Sequence, residues 1–169
     1  MQTDFEIFSE HLSYCPETGN LSWIKKAKKR DLSRPAGYVD SKGYVIIQLN
    51  EKKYLAHRVA WLLTYGTWPK DQLDHENHVR NDNRLINLRD IDYVGNQRNA
   101  SLRKDNKSGI TGVRFAKNKW NAEIRVHQKH INLGRFEVLE DAVLARKEAE
   151  KKYGFHENHG IPALEKESP

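Results

Sequence analysis

The chain of 169 residues reads as an α+β protein assembled from small parts. Three observations lead there. Short strand-like runs broken by turn residues fill the first fifty positions, one amphipathic helix follows, and beyond Gly109 three alternating runs precede a second helix. Phe5 to Tyr14 fits either helix or strand, Glu17-Thr18-Gly19-Asn20 is a turn, and Leu21 to Ile24 and Tyr44 to Leu49 are strands. From Leu55 to Tyr65 the spacing of Ala56, Val59, Ala60, Leu62 and Leu63 predicts a helix, stopped by Gly66 and Pro69. Residues 77–106 hold seven asparagines, whose amides pin loops by local hydrogen bonds better than they build regular structure. Val113 and Phe115, then Ala122, Ile124 and Val126, then Ile131 and Leu133 take every second place of three runs, as half-buried strands do. Leu139 to Tyr153 is a helix ending at Gly154, with Leu139, Ala142, Val143 and Ala149 available to cover the apolar side of that sheet. Residues 1–100 read as one domain with its core motif at about 55–100, 101–108 as a linker, 109–154 as a second domain and 155–169 as a tail.

Composition narrows the function classes. The hydrophobic fraction is 37%, the charged fraction 31% and the formal net charge +6, with a mean hydropathy of -0.86. The excess charge is local: residues 103–135 hold nine Lys/Arg against two acids, while residues 136–169 hold five against eight. A polyanion such as nucleic acid is the partner that such a field attracts. Lys25, Lys26, Lys28, Lys29, Arg30 and Arg34 form a second cluster, either a phosphate-contacting loop or a solvated charge run. Cys15 is the only cysteine, so neither a disulfide framework nor a paired-cysteine zinc site is available. With no apolar run long enough to span a membrane and no signal-peptide pattern, the expected setting is cytoplasmic.

Chemistry concentrates between Leu73 and Asn99. Asp74-His75 places a carboxylate beside an imidazole, followed by Asp82-Asn83-Arg84, Asn87-Leu88-Arg89 and Asn96-Gln97-Arg98-Asn99. This run resembles the HNH nuclease motif in the form carried by phage and intron-encoded homing endonucleases. Ala56-His57-Arg58-Val59-Ala60-Trp61 and Tyr65-Gly66-Thr67-Trp68-Pro69 resemble the segment that precedes the motif in that family. The resemblance implies a ββα-metal site, in which a strand, a long loop, a second strand and a helix clasp one divalent cation. It implies His75 as the general base for the attacking water, a step that a neutral imidazole suits. It also implies Asp74 and Asn96 as metal ligands and Asn87 as the residue tying loop to hairpin. Asn99, one helical turn beyond Asn96, is an alternative ligand. An oxygen donor set with open positions suits Mg²⁺, with Mn²⁺ possible. His57 either contacts phosphate or packs against the hairpin.

On the polar face of the three C-terminal runs fall Arg114, Asn121, Glu123, Arg125, His127, His130 and Asn132. Gly109 to Phe115, Trp120 to Arg125, Leu133 to Phe136 and Glu140-Asp141-Ala142 resemble the plant APETALA-two/ERF-type DNA-binding domain, over about residues 108–154. In that family a three-stranded sheet lies in the major groove, so the resemblance implies DNA contacts from Arg114, Asn121, Arg125, His130, Asn132 and Arg135. Ala116, His130 and Asn132 depart from the plant pattern, and target sequence does not carry over. Trp120 either stacks on bases or joins the core, whose phase it shares. The reading is a metal-dependent, site-selective endonuclease on double-stranded DNA, monomer or homodimer. The competing reading is a non-catalytic DNA-binding regulator with a decayed nuclease domain.

Overall fold

A computed structural model describes residues 2–27 and 30–162. Lys28 and Lys29 of the first basic cluster, and residues 163–169 of the expected tail, lie outside the described residues. The fold is mixed α and β, with several small antiparallel sheets and four α-helices among the described residues. Contacts divide it into two compact units, the first ending at Asp92 and the second beginning at Tyr93.

The first unit opens on α1 (Asp4–Ser9), settling the ambiguous stretch. Thr3 caps it: its side chain accepts from Glu6 N at 3.2 Å while the Glu6 carboxylate accepts from Thr3 N at 2.8 Å, a reciprocal box that satisfies two amides at the helix start. Strands β1 (Leu12–Cys15) and β2 (Asn20–Trp23) form a hairpin, and β3 (Tyr38–Val39), β4 (Val45–Leu49) and β5 (Lys52–Leu55) form a three-stranded sheet in that order. Helix α2 (Ala56–Tyr65) buries Ala56, Val59, Ala60 and Leu62, a stripe at helical spacing, against Phe8, Leu12, Leu21, Ile47 and Leu49. Ile47 and Leu62 are fully enclosed, and burial of such a side chain stabilises by roughly 1.5–3 kcal/mol. Gly66 ends α2 at φ 76°, its N–H bonding Leu62 O at 2.8 Å, the stop that the sequence predicts. Beyond it, β6 (Gln72–His75) and β7 (Leu88–Ile91) pair antiparallel, with Asp74 opposite Arg89 and His75 opposite Leu88. The long connection between them is the amide-rich stretch, and only Leu85–Asn87 is helical there, as a single 3₁₀ turn.

The second unit starts with α3 (Tyr93–Gln97) and contains β8 (Val113–Ala116), β9 (Lys119–Val126), β10 (Lys129–Phe136) and α4 (Leu139–Lys152). The sheet order is β10-β9-β8, antiparallel throughout. Val113, Ala122 and Ile124 face Ala142 and Ala149 of α4, and Trp120 packs with this core rather than standing free. Phe115 departs from the alternation: it is 57% exposed, and its ring meets Trp120 edge-on at 5.0 Å. A bulge between Asn132 and Gly134 shifts the β9–β10 register by one residue, so that Arg135 stands opposite Asn121 and Phe136 opposite Trp120. Phe136 thereby rejoins the apolar side and Arg135 the polar side. No helix among the described residues is long and apolar enough to cross a membrane.

Candidate active site

His75 ends β6 and is 4% exposed. Its Nε2 lies 3.0 Å from Asn83 Oδ1, and its ring stands edge-on to that of His57 at 4.8 Å between centroids, with Tyr44 at 6.0 Å. Burial pushes the imidazolium below its usual pKa, against the opposing pulls of the Asn83 hydrogen bond and the charges of Asp74 and Asp82. His57, on α2, is driven further, to about 3, first by burial and then by His75 and Arg58. Both rings are therefore neutral near pH 7. His57 packs against His75 and Tyr44 and is buried, which favours the packing alternative.

The loop that holds Asn83 is fixed from several sides. Asn87 joins it to the hairpin: its Oδ1 accepts from Asn77 N at 2.9 Å and its Nδ2 donates to Asp82 O at 2.8 Å. Asp82 accepts from Arg84 Nη2 at 2.6 Å, Arg84 Nε at 2.8 Å and Asn77 Nδ2 at 2.7 Å. The Arg84 hydrogen bond leads in holding that carboxyl down at about 2. From the β1–β2 hairpin, Tyr14 donates to Asn83 O at 2.7 Å, and burial raises its phenol to about 12. Gly19, at φ 73°, presses on the same backbone: a Cβ there would meet Arg84 N at 2.5 Å and Asn83 C at 2.6 Å. Only glycine fits that turn.

Asp74 points to the opposite face of β6 from His75, as adjacent strand residues do. Arg89 Nη2 holds its Oδ2 at 2.9 Å, and Arg89 Nε lies 3.7 Å from Glu76 Oε2. One guanidinium thus stands between two carboxylates, oxygen donors of the kind that a hard divalent cation takes. Among the described residues no group of three His, Cys, Asp or Glu side chains could hold a metal, so a cation bound here would keep waters or take substrate oxygens. Asn96 is half-buried on α3 and Asn99 is 2% exposed just past its end; both belong to the second unit.

In the second unit the six expected DNA contacts differ in what they already bind. The Asn121 amide donates to the Ala116 and Lys119 carbonyls, closing the β8–β9 turn, and Asn132 Oδ1 accepts from Gly134 N at 2.9 Å, closing the bulge. Arg135 reaches Lys117 O at 3.4 Å and Arg114 lies 3.6 Å from Glu123. Arg125 and His130 stand opposite each other, both exposed, with no hydrogen-bond or ion-pair partner among the described residues. They line a cleft of about 650 Å³ together with Tyr93, Arg98 and His127.

Sequence reasoning missed two sets of residues. Asn83 was read only as part of a motif, though it holds His75. Arg146 on α4 is buried and donates to Glu150 at 2.9 Å and Glu123 O at 2.6 Å, with His159 Nε2 at 3.2 Å. Its i, i+4 spacing to Glu150 is the usual surface pattern, and nothing local marks it as interior. No curated protein and no solved structure gives a significant match to the chain. Residues 54–92, which carry His57, Asp74, His75, Asn83 and Asn87, match the family model of HNH endonucleases.

Proposed function

We propose that the protein is a metal-dependent, site-selective DNA endonuclease of the homing type, with His75 as general base. The observation that supports this is a buried imidazole held by one nitrogen, next in sequence to the Asp74 carboxylate, inside the stretch that matches the HNH model. Water attacks the phosphorus of a DNA phosphodiester, its proton passes to His75, and the bond to the 3′ oxygen breaks. Asp74 is the carboxylate ligand of a divalent cation, Mg²⁺ by donor chemistry with Mn²⁺ as substitute. Asn96 is the second ligand on the strength of the motif alone, and the burial of Asn99 favours Asn96 between the two. When bound, the cation stabilises charge on the phosphate and on the departing oxygen. Asn87 keeps the loop in register so that Asn83 meets His75.

Residues 1–100 carry the chemistry and residues 109–154, joined through 101–108, place it on double-stranded DNA. The exposed Arg125 and His130, with Arg114, are the contacts that the sheet leaves most available, and Asn121 and Asn132 shape the strands that carry them. This face supports the APETALA-two/ERF-like reading without fixing a target sequence.

Incubation of purified protein with supercoiled plasmid, with Mg²⁺ or with EDTA, tests the reading. Open-circle or linear DNA formed only with the metal supports it. Sequence-specific binding with no cleavage under Mg²⁺ or Mn²⁺ would favour the non-catalytic regulator instead.

A further inference from the structure

Strand β9 outruns its neighbour β8, and the space left along its edge is the cleft of about 650 Å³ in the second unit. We propose that this cleft binds an unpaired nucleotide of a single DNA strand, its base on Tyr93 and its phosphate on Arg98 and Arg125. The inference rests on the DNA-nuclease reading for the source of the strand, since a nick frees a strand end, and it adds a site separate from duplex recognition.

The last β8–β9 pair is Val113 with Ala122, and Glu123 N bonds Gly112 O at 2.9 Å, so the rest of β9 has no strand on that side. The chain leaves the sheet at Gly112, φ 75°, where a Cβ would collide with the Glu123 carbonyl and the Arg146 guanidinium; glycine keeps the cleft floor closed. Charge on the lining is unbalanced. Arg103 is paired with Asp105 and Arg146 with Glu150, and Glu123, the one acid lining the cleft among the described residues, faces Arg114 at 3.6 Å. Arg98 and Arg125 have no hydrogen-bond or ion-pair partner for their guanidinium groups among the described residues. Arg98 lies 5.9 Å from the centroid of the Phe155 ring, which packs against Ile124, Val126 and Ala149 and so fixes one wall. Tyr93 is 60% exposed, and its hydroxyl accepts from Gln97 Nε2 at 2.5 Å, which orients the ring. Free guanidinium groups beside an exposed aromatic ring match a nucleotide, phosphate to the first and base to the second. A cleft of this volume encloses a small organic group rather than a duplex. Within a duplex the faces of a base are covered by its neighbours, so a base that stacks on Tyr93 must be unpaired. Arg125 lines both this cleft and the polar sheet face, whereas Tyr93 and Arg98 belong to the cleft alone.

The test is fluorescence anisotropy of the full-length protein in EDTA, where cleavage does not intervene, with a labelled oligodeoxythymidylate and a labelled duplex. Tyr93→Ala should weaken single-strand binding roughly tenfold, and Arg98→Gln should lower the slope of log Kd on log salt by about 0.7, with duplex affinity within about twofold of wild type in both. Arg114→Ala should do the reverse, weakening the duplex and sparing the strand. In wild type, an oligonucleotide carrying 5-iododeoxyuridine should crosslink to Tyr93 under ultraviolet light, a measurement that decides alone if a variant does not fold. No binding of the strand, binding that ignores both Tyr93 and Arg98, or crosslinks confined to residues outside the cleft overturns the inference. Displacement by thymidine 5′-monophosphate at the same concentration as the oligonucleotide would make the ligand a free nucleotide and overturn the strand assignment. Should the strand bind as expected while the duplex neither binds nor is cleaved with Mg²⁺, the duplex-nuclease reading fails and the cleft keeps its ligand.

Discussion

Two buried histidines facing each other give the first unit a defined response to acid. The pKa of His57 is depressed from 6.5 to about 3 and that of His75 is lowered in the same direction. The unfolded chain therefore takes up protons near pH 6.5 that the folded one refuses. The resulting stabilisation is fully present above that pH and is lost as pH falls through the window toward 3. The groups that face His57 are His75, Arg58 and Tyr44, none of which supplies a carboxylate to reverse the sign. Urea midpoints measured from pH 7 down to 4 should decline in wild type and decline less steeply in His57→Gln; equal slopes would show that His57 is not buried in neutral form. With His75 in the proposed role of base, the same depression should keep it competent below pH 6.5. The pH–rate profile of cleavage should hold its plateau through that value rather than fall at it. Residue identity along this site was legible in sequence as a motif, but Asn83 was not legible as the partner of His75. That contact needs the loop of residues 76–87 to fold back on β6, and no local pattern encodes it.

The elements with long, unbroken periodicity were the ones that the sequence reading located well: α2, α4 and the three C-terminal strands. Short ones escaped for physical reasons. Helix α1 is six residues, too short for a clear stripe, although Thr3 and Glu6 already carry its capping signal. Strands β3 and β5 flank β4 at the two edges of their sheet, and Lys52-Lys53 gave β5 no apolar alternation to read. The bulge at Asn132–Gly134 likewise appears only once β9 fixes the register. Helix α4 owes its seat partly to the Arg146–Glu150 pair, which is nearly sealed from solvent. Removing the guanidinium leaves Glu150 buried with Lys147 alone, so Arg146→Ala should destabilise by about 3–5 kcal/mol, read as a fall in the denaturation midpoint. A loss below 1 kcal/mol would mean that water enters this region freely. On the opposite side of the sheet, Arg114→Ala combined with Arg125→Ala should weaken DNA binding and reduce the salt dependence of log Kd by about 1–2, with the fold intact. Unchanged binding would move recognition to the basic cluster around Lys25 and Arg30.

At the scale of the whole chain, the proposed function divides labour between chemistry and placement. Under the proposed function a single Asp74-His75 pair should break one strand per encounter, so open-circle DNA should accumulate before linear product, and a simultaneous appearance of both would indicate that two copies act together. The proposed division rests on a charge pattern visible in the sequence, with positive charge concentrated on residues 103–135 while the carboxylate and imidazole stand at 74 and 75. The central claim is that His75 supplies base catalysis. Its most direct test is single-turnover cleavage of supercoiled plasmid by His75→Ala and wild type at saturating protein with Mg²⁺, alongside DNA affinity measured with Ca²⁺ in place of Mg²⁺. The account predicts a rate lower by about 10²–10⁴-fold with affinity unchanged. Cleavage by His75→Ala at the wild-type rate would contradict it.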